Sequence, residues 1–146
     1  MIHLRTFIVV AVAAAVLSFP AFAQKGRLNP NTATAEQLAA ISGLDPMLAA
    51  AIQERRPFDS MTDFNALVRR TVTREKAERL YEKLFIPVNL NTGTEEEIEL
   101  IPGMTDHMVG EFLEYRPYPD MQTFNSEIGK YVDDAEVARL RSYVTL

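Results

Sequence analysis

The chain overlays on itself when shifted by sixty positions, and no gap is needed. Leu28-Asn29-Pro30-Asn31-Thr32-Ala33-Thr34 falls on Val88-Asn89-Leu90-Asn91-Thr92-Gly93-Thr94. Ile41 and Gly43 fall on Ile101 and Gly103, and Arg56-Pro57-Phe58 falls on Arg116-Pro117-Tyr118. Met61, Phe64, Asn65, Val72, Arg79 and Leu80 meet Met121, Phe124, Asn125, Val132, Arg139 and Leu140. A gapless internal repeat means one supersecondary unit used twice. The two units are residues 28–87 and 88–146.

Within each unit the punctuation predicts four short helices. Thr34-Ala35-Glu36-Gln37 and Thr94-Glu95-Glu96-Glu97 fit a capping box, in which a hydroxyl and a Glu or Gln side chain satisfy free N–H groups reciprocally. Leu38 and Ile41 (Ile98 and Ile101) then share a face. Gly43 and Gly103 stop the first helix, because Gly tolerates positive φ. Asp45 caps the next helix and Pro46 suits its first position. That helix buries Leu48 and Ile52 in unit one, and Met108 and Phe112 in unit two. It ends before Pro57 and Pro117, since the residue preceding Pro is pushed out of the α region. Ser60 and Asp120 cap the third helix. Thr73 and Asp133 or Asp134 cap the fourth, which is expected to end near Leu84 and Val144. Strand patterning is weak throughout, so the fold class is all-α: two tandem units of about four short helices each.

Ahead of the repeat, Arg5 precedes an uncharged apolar run from Thr6 to Phe19, and Ala21-Phe22-Ala23 forms a small-x-small site before Gln24. This is the layout of a signal peptide over residues 1–23. The run is short for a spanning helix, which needs about 20 apolar residues. Cleavage, export to a periplasmic or extracellular space and no membrane association afterwards are therefore expected. The chain has no Cys, which excludes disulfides and thiolate metal sites. From Gln24 onward the net charge is −6, with 14 basic and 20 acidic residues. Nucleic-acid-binding modules are usually basic. Here the charge is divided unevenly. Unit one has eight basic and eight acidic residues, whereas unit two has four basic and twelve acidic, a net of −8.

Two stretches carry a resemblance. LNPNTATAEQLAAISGLDPMLAAAIQERRPF and VNLNTGTEEEIELIPGMTDHMVGEFLEYRPY resemble the helix-hairpin-helix units of the competence protein ComEA family. The Asn-x-Asn-Thr-x-Thr opening, the Gly hairpin and the Arg-Pro-aromatic ending all match. The resemblance implies double-stranded DNA as ligand, held outside the cytoplasmic membrane during uptake. The extrinsic photosystem II subunit PsbU is similar too, and it is structural. Fold therefore leaves two jobs open.

In DNA-binding members the hairpin resembles Pro-Gly-Ile-Gly-Pro-Lys, and its backbone N–H groups meet a phosphate at a helix N-terminus, where the dipole favours an anion. Gly43 and Gly103 match the first Gly. The second Gly is replaced by Asp45 in unit one and Thr105 in unit two, and the Lys by Met47 and His107. Asp106 adds a further carboxylate. A capping Asp uses the N–H groups a phosphate needs, and it repels the phosphate. The implied grip is thus weakened.

One basic cluster remains: Arg69, Arg70, Arg74, Lys76, Arg79 and Lys83. Interleaved Glu75, Glu78 and Glu82 stand at pairing distances, as on a solvated helix face. The same cluster could contact DNA phosphates, or dock the acidic unit of this molecule or of a neighbour. Arg56 and Arg116 sit where a helix dipole favours a cation and are expected to be structural. No catalytic constellation, cofactor motif, metal set or small-molecule site stands out. The expected protein is a non-catalytic binding module with weak DNA affinity through Gly43, Asp45, Gly103, Thr105, Arg69, Arg70, Arg74 and Lys76. The alternative is a structural subunit that packs against protein or against itself.

Overall fold

The computed structural model describes residues 26–146; the signal-peptide reading of residues 1–23 lies outside the described residues. The fold is all-α. Unit one holds α1 (Ala35–Ala39), α2 (Pro46–Arg55), α3 (Met61–Val68) and α4 (Arg74–Tyr81). Unit two holds β1 (Val88–Asn89), α5 (Glu95–Glu99), α6 (Asp106–Glu114), α7 (Met121–Ile128), α8 (Asp134–Arg141) and β2 (Val144–Thr145). The offset of sixty survives in three dimensions, helix for helix.

Each of these helices starts at a capping side chain, and all but that of α6, Thr105, are the ones expected from the sequence. Thr34 and Thr94 form complete capping boxes with Gln37 and Glu97. Asp45 and Thr105 cap α2 and α6. Ser60, Thr73, Asp120 and Asp133 cap the remaining four. Each cap supplies an acceptor for one of the N–H groups that no helical turn can satisfy.

The fourth helix of each unit stops three residues earlier than expected, at Tyr81 and Arg141. The residues beyond it have another task. Leu84 bridges in parallel to Leu28, and Val144 pairs with Val88. Each unit thus closes its last residues onto its first. Two-residue strands are too short to show the alternation by which strands are read, which is why the sequence gives no hint of them.

Polar side chains then tie the opening turn to the middle of each unit. Asn31 Nδ2 donates to the Phe58 carbonyl at 2.9 Å, and Phe58 N donates to Asn31 Oδ1 at 2.8 Å. Asn91 does the same with Tyr118, at 2.9 and 2.7 Å. Arg56 donates to the carbonyls of Pro30 and Ala33, and Arg116 to that of Gly93. These two arginines are structural, as expected, but not through the dipole of their own helix. Their guanidinium groups cross to the opening turn and satisfy its carbonyls.

Apolar residues from both units merge in one cluster, which includes Ile52, Phe64, Leu84, Phe85, Phe112, Phe124 and Tyr143. Phe85 packs edge-on against Tyr143 with ring centroids 4.9 Å apart. Met61 N at the start of α3 donates to Glu97 Oε1 on α5 at 3.2 Å. The Arg27 guanidinium lies 3.1 Å from the Tyr143 ring centroid and donates to Ser142 O at 3.0 Å and Glu82 O at 3.3 Å. The ends of both units therefore meet on one side chain.

One pair of positions shows how closely each opening turn is packed. Unit one combines Leu28 with Ala33, and unit two combines Val88 with Gly93. A Cβ at Gly93 would collide with Val88 Cγ1 and lie 2.6 Å from the Asn89 carbonyl oxygen. Gly93→Ala is expected to cost about 2 kcal/mol, in the range of overpacking. Val88→Leu, which restores the unit-one pair, is expected to recover part of that loss. A double-mutant cycle by urea unfolding measures the coupling, and strict additivity would exclude this contact as the cause.

Candidate nucleic-acid interface

The hairpin between α1 and α2 turns at Gly43, with φ of +89°. A Cβ built there would meet nothing within 4 Å, so the turn faces open space. Asp45 Oδ1 accepts from Met47 N at 2.8 Å and Leu48 N at 3.4 Å. As expected, the capping carboxylate takes the N–H groups that the N-terminus of α2 could otherwise present to an anion.

Cations nevertheless gather beside this hairpin. A groove of about 370 Å³ is lined by Ser42, Gly43, Lys76, Arg79, Leu80 and Lys83. Lys83 Nζ donates to the Ser42 carbonyl at 3.0 Å. Helix α4 presents Lys76 and Arg79 on one face, since positions three apart are neighbours on a helix, and Lys83 follows in the turn just after it. Among the described residues, no carboxylate lines the groove.

The second hairpin is wired differently. Gly103 has φ of +78°, and Thr105 caps α6 by accepting from Met108 N at 3.3 Å. Arg139, the counterpart of Arg79, donates to the Pro102 carbonyl at 2.6 Å. It also donates to both oxygens of Glu136, at 2.7 and 2.6 Å. That pairing holds the Glu136 carboxyl below its ordinary range and raises the guanidinium above its own. The cation at hairpin two is already neutralised. Glu136 occupies the position that Lys76 has in unit one. Two exchanges, Lys76 for Glu136 and Lys83 for Tyr143, therefore separate a cationic hairpin from a neutral one.

The basic cluster read from the sequence is split by the fold. Lys76 joins Gly43. Arg69 and Arg74 instead line a second groove, of about 640 Å³, together with Glu78, Glu96, Glu99 and Gly103. Arg74 Nε pairs with Glu78 at 3.1 Å, and Arg69 donates to the Val72 carbonyl at 2.7 Å. Two cations face three carboxylates there, which is poor ground for a phosphate. Arg70 lines neither groove. Asp45 and Thr105 act as helix caps. Arg79 and Lys83 complete the cationic groove, and the exchange of Lys76 for Glu136 between repeats is the signal that singles it out.

A family model described as a helix-hairpin-helix motif matches residues 23–70. The match takes in α1, the Gly43 hairpin, α2 and α3. No curated protein and no solved structure matches the chain. Helix-hairpin-helix motifs serve nucleic-acid binding or act as structural helical modules, typically without catalysis, and the matched segment contains the hairpin that borders the cationic groove.

Proposed function

We propose that this protein is an exported, non-catalytic helix-hairpin-helix module that holds duplex DNA weakly through unit one, in the manner of DNA-uptake proteins. The observation that carries the reading is the groove at Gly43, where Lys76, Arg79 and Lys83 stand beside an open backbone turn with no carboxylate among them. Phosphates would be held by these side chains more than by the N-terminus of α2, whose N–H groups Asp45 already engages. Unit two, with a net charge of −8, adds nothing to the grip and limits its strength.

Fluorescence anisotropy with labelled duplex DNA tests this. Three phosphate contacts give a slope of log affinity on log salt near −2.7, so affinity falls roughly forty-fold between about 50 and about 200 mM salt. Lys76→Glu gives unit one the Glu–Arg pair that unit two already contains, so the fold has a precedent for it. The variant removes one cation and neutralises Arg79. It is expected to weaken binding at least about tenfold at the lower salt and to flatten the slope toward about −0.9. Binding that ignores both salt and this variant would refute the groove. No binding at the lower salt would favour a structural subunit that packs against protein.

A further inference from the structure

Unit one serves as an internal control for unit two, and one site stands out against it. Position for position, Met47, Ala51, Arg55, Arg70 and Thr71 of unit one become His107, Glu111, Tyr115, Lys130 and Tyr131 in unit two. The fold tolerates either set, so helix packing alone does not call for the second. Glu111 is 9 % exposed, and among the described residues its Oε2 has no hydrogen-bond partner. A buried carboxylate oxygen in that state is costly and asks for a reason.

The groups around it share one chemistry. His107 Nδ1 lies 3.6 Å from Glu111 Oε1, and the His107 ring stands edge-on to Tyr131 at 5.5 Å. The Tyr115 and Tyr131 hydroxyls are 2.9 Å apart. Tyr131 is a large side chain left 40 % exposed at the rim. Its hydroxyl is held protonated above the usual tyrosine range, first by its hydrogen bond with Tyr115 and further by the negative charge of Glu111 nearby. The Lys130 ammonium already sits 5.0 Å from the Tyr115 ring centroid while pairing with Glu127. An ammonium of the chain itself thus already lies over one ring of the cluster, that of Tyr115, as aromatic faces favour.

We propose that this cluster is a binding site for an arginine side chain of a basic protein segment. Glu111 would supply the charge from beneath the rim, and the exposed Tyr131 ring would lie along the guanidinium plane, a stacking that suits arginine better than lysine. The field of a unit with net charge −8 would steer a basic partner toward it. The site lies in unit two, apart from the Gly43 groove, and its test involves no DNA. It stands or falls independently of the function proposed above.

The test is anisotropy of a fluorescein-labelled Arg-Gly repeat peptide titrated with the protein. Three variants run beside the wild type, with the thermal midpoint of each recorded. Glu111→Ala installs the unit-one residue and is expected to weaken binding about thirtyfold or more, the scale of a lost buried charge partner. Its midpoint should hold or rise, because an unpartnered buried carboxylate has gone. Tyr131→Thr, also a unit-one residue and at the surface, should weaken binding about threefold. Glu95→Gln removes an equal charge from α5 and should change binding by less than about twofold, as a remote exposed charge does. The proposal is overturned if the wild type does not bind the peptide, or if Glu95→Gln weakens binding as much as Glu111→Ala. It is equally overturned if Glu111→Ala lowers the midpoint by several degrees, since Glu111 then serves the fold, or if Tyr131→Thr binds like the wild type.

Discussion

Asn91→Ala is expected to lose about 4 kcal/mol of stability, more than an ordinary surface polar substitution by a wide margin. The reason is the two-point clasp between the Asn91 amide and the Tyr118 backbone, with both bonds under 3 Å. Tyr118 is buried at 2 % exposure. Truncation leaves its N–H and its carbonyl without their partner, and each such buried orphan costs roughly 1–3 kcal/mol. Water cannot readily enter, because the Tyr118 ring packs on Phe124 at 5.7 Å and the Arg116 guanidinium holds the neighbouring turn. Asn91→Asp keeps the acceptor for Tyr118 N but sets a carboxylate oxygen against Tyr118 O, so a loss at least as large as that of Asn91→Ala is expected. Asn31→Ala in unit one should repeat the pattern through Phe58. Equilibrium urea unfolding reads all three variants as a shift of midpoint at unchanged slope. A loss below about 1 kcal/mol for Asn91→Ala would mean that solvent replaces the clasp.

The Asn-x-Asn-Thr opening was conspicuous in the sequence, yet its purpose was not legible there. The partners of Asn31 and Asn91 lie 27 residues further on in both units, and no local pattern encodes a side-chain bond of that reach. Local chemistry was legible: the Thr34 and Thr94 capping boxes, the Gly43 and Gly103 turns and the Asp45 cap depend only on near neighbours. The same limit explains the candidate site. Arg69 and Arg74 looked equivalent to Lys76 along the chain, but only the packing of α5 against α3 decides which of them faces carboxylates. The exchange of Lys76 for Glu136 was visible once the repeats were aligned. Its meaning needed Arg79 and Arg139 placed beside their hairpins.

Phe85→Ala is expected to uncouple the two units as well as destabilise the chain by about 4 kcal/mol, the usual cost of emptying a buried phenylalanine site. Phe85 lies where unit one passes into unit two and is buried at 2 % exposure. Its ring meets Tyr143 of unit two at 4.9 Å and Tyr81 of unit one at 6.2 Å, and its backbone N donates to Leu28 O at 2.9 Å. Polar links between the units accompany it: Met61 N to Glu97, and Arg27 to Ser142 and Glu82. Bonds of that kind contribute about 1 kcal/mol each net, too little alone to make two four-helix units melt together. In calorimetry the wild type should therefore show one transition with equal calorimetric and van't Hoff enthalpies. Phe85→Ala should show a calorimetric enthalpy exceeding the van't Hoff value as the units separate. Phe64→Ala, equally buried but within unit one, is the control for a large cavity that leaves the junction intact. It should lower the midpoint by a similar amount and remain a single transition. If both variants stay two-state, the coupling resides in the Arg27 and Glu97 contacts, and the apolar junction at Phe85 is not what makes the repeat one cooperative body.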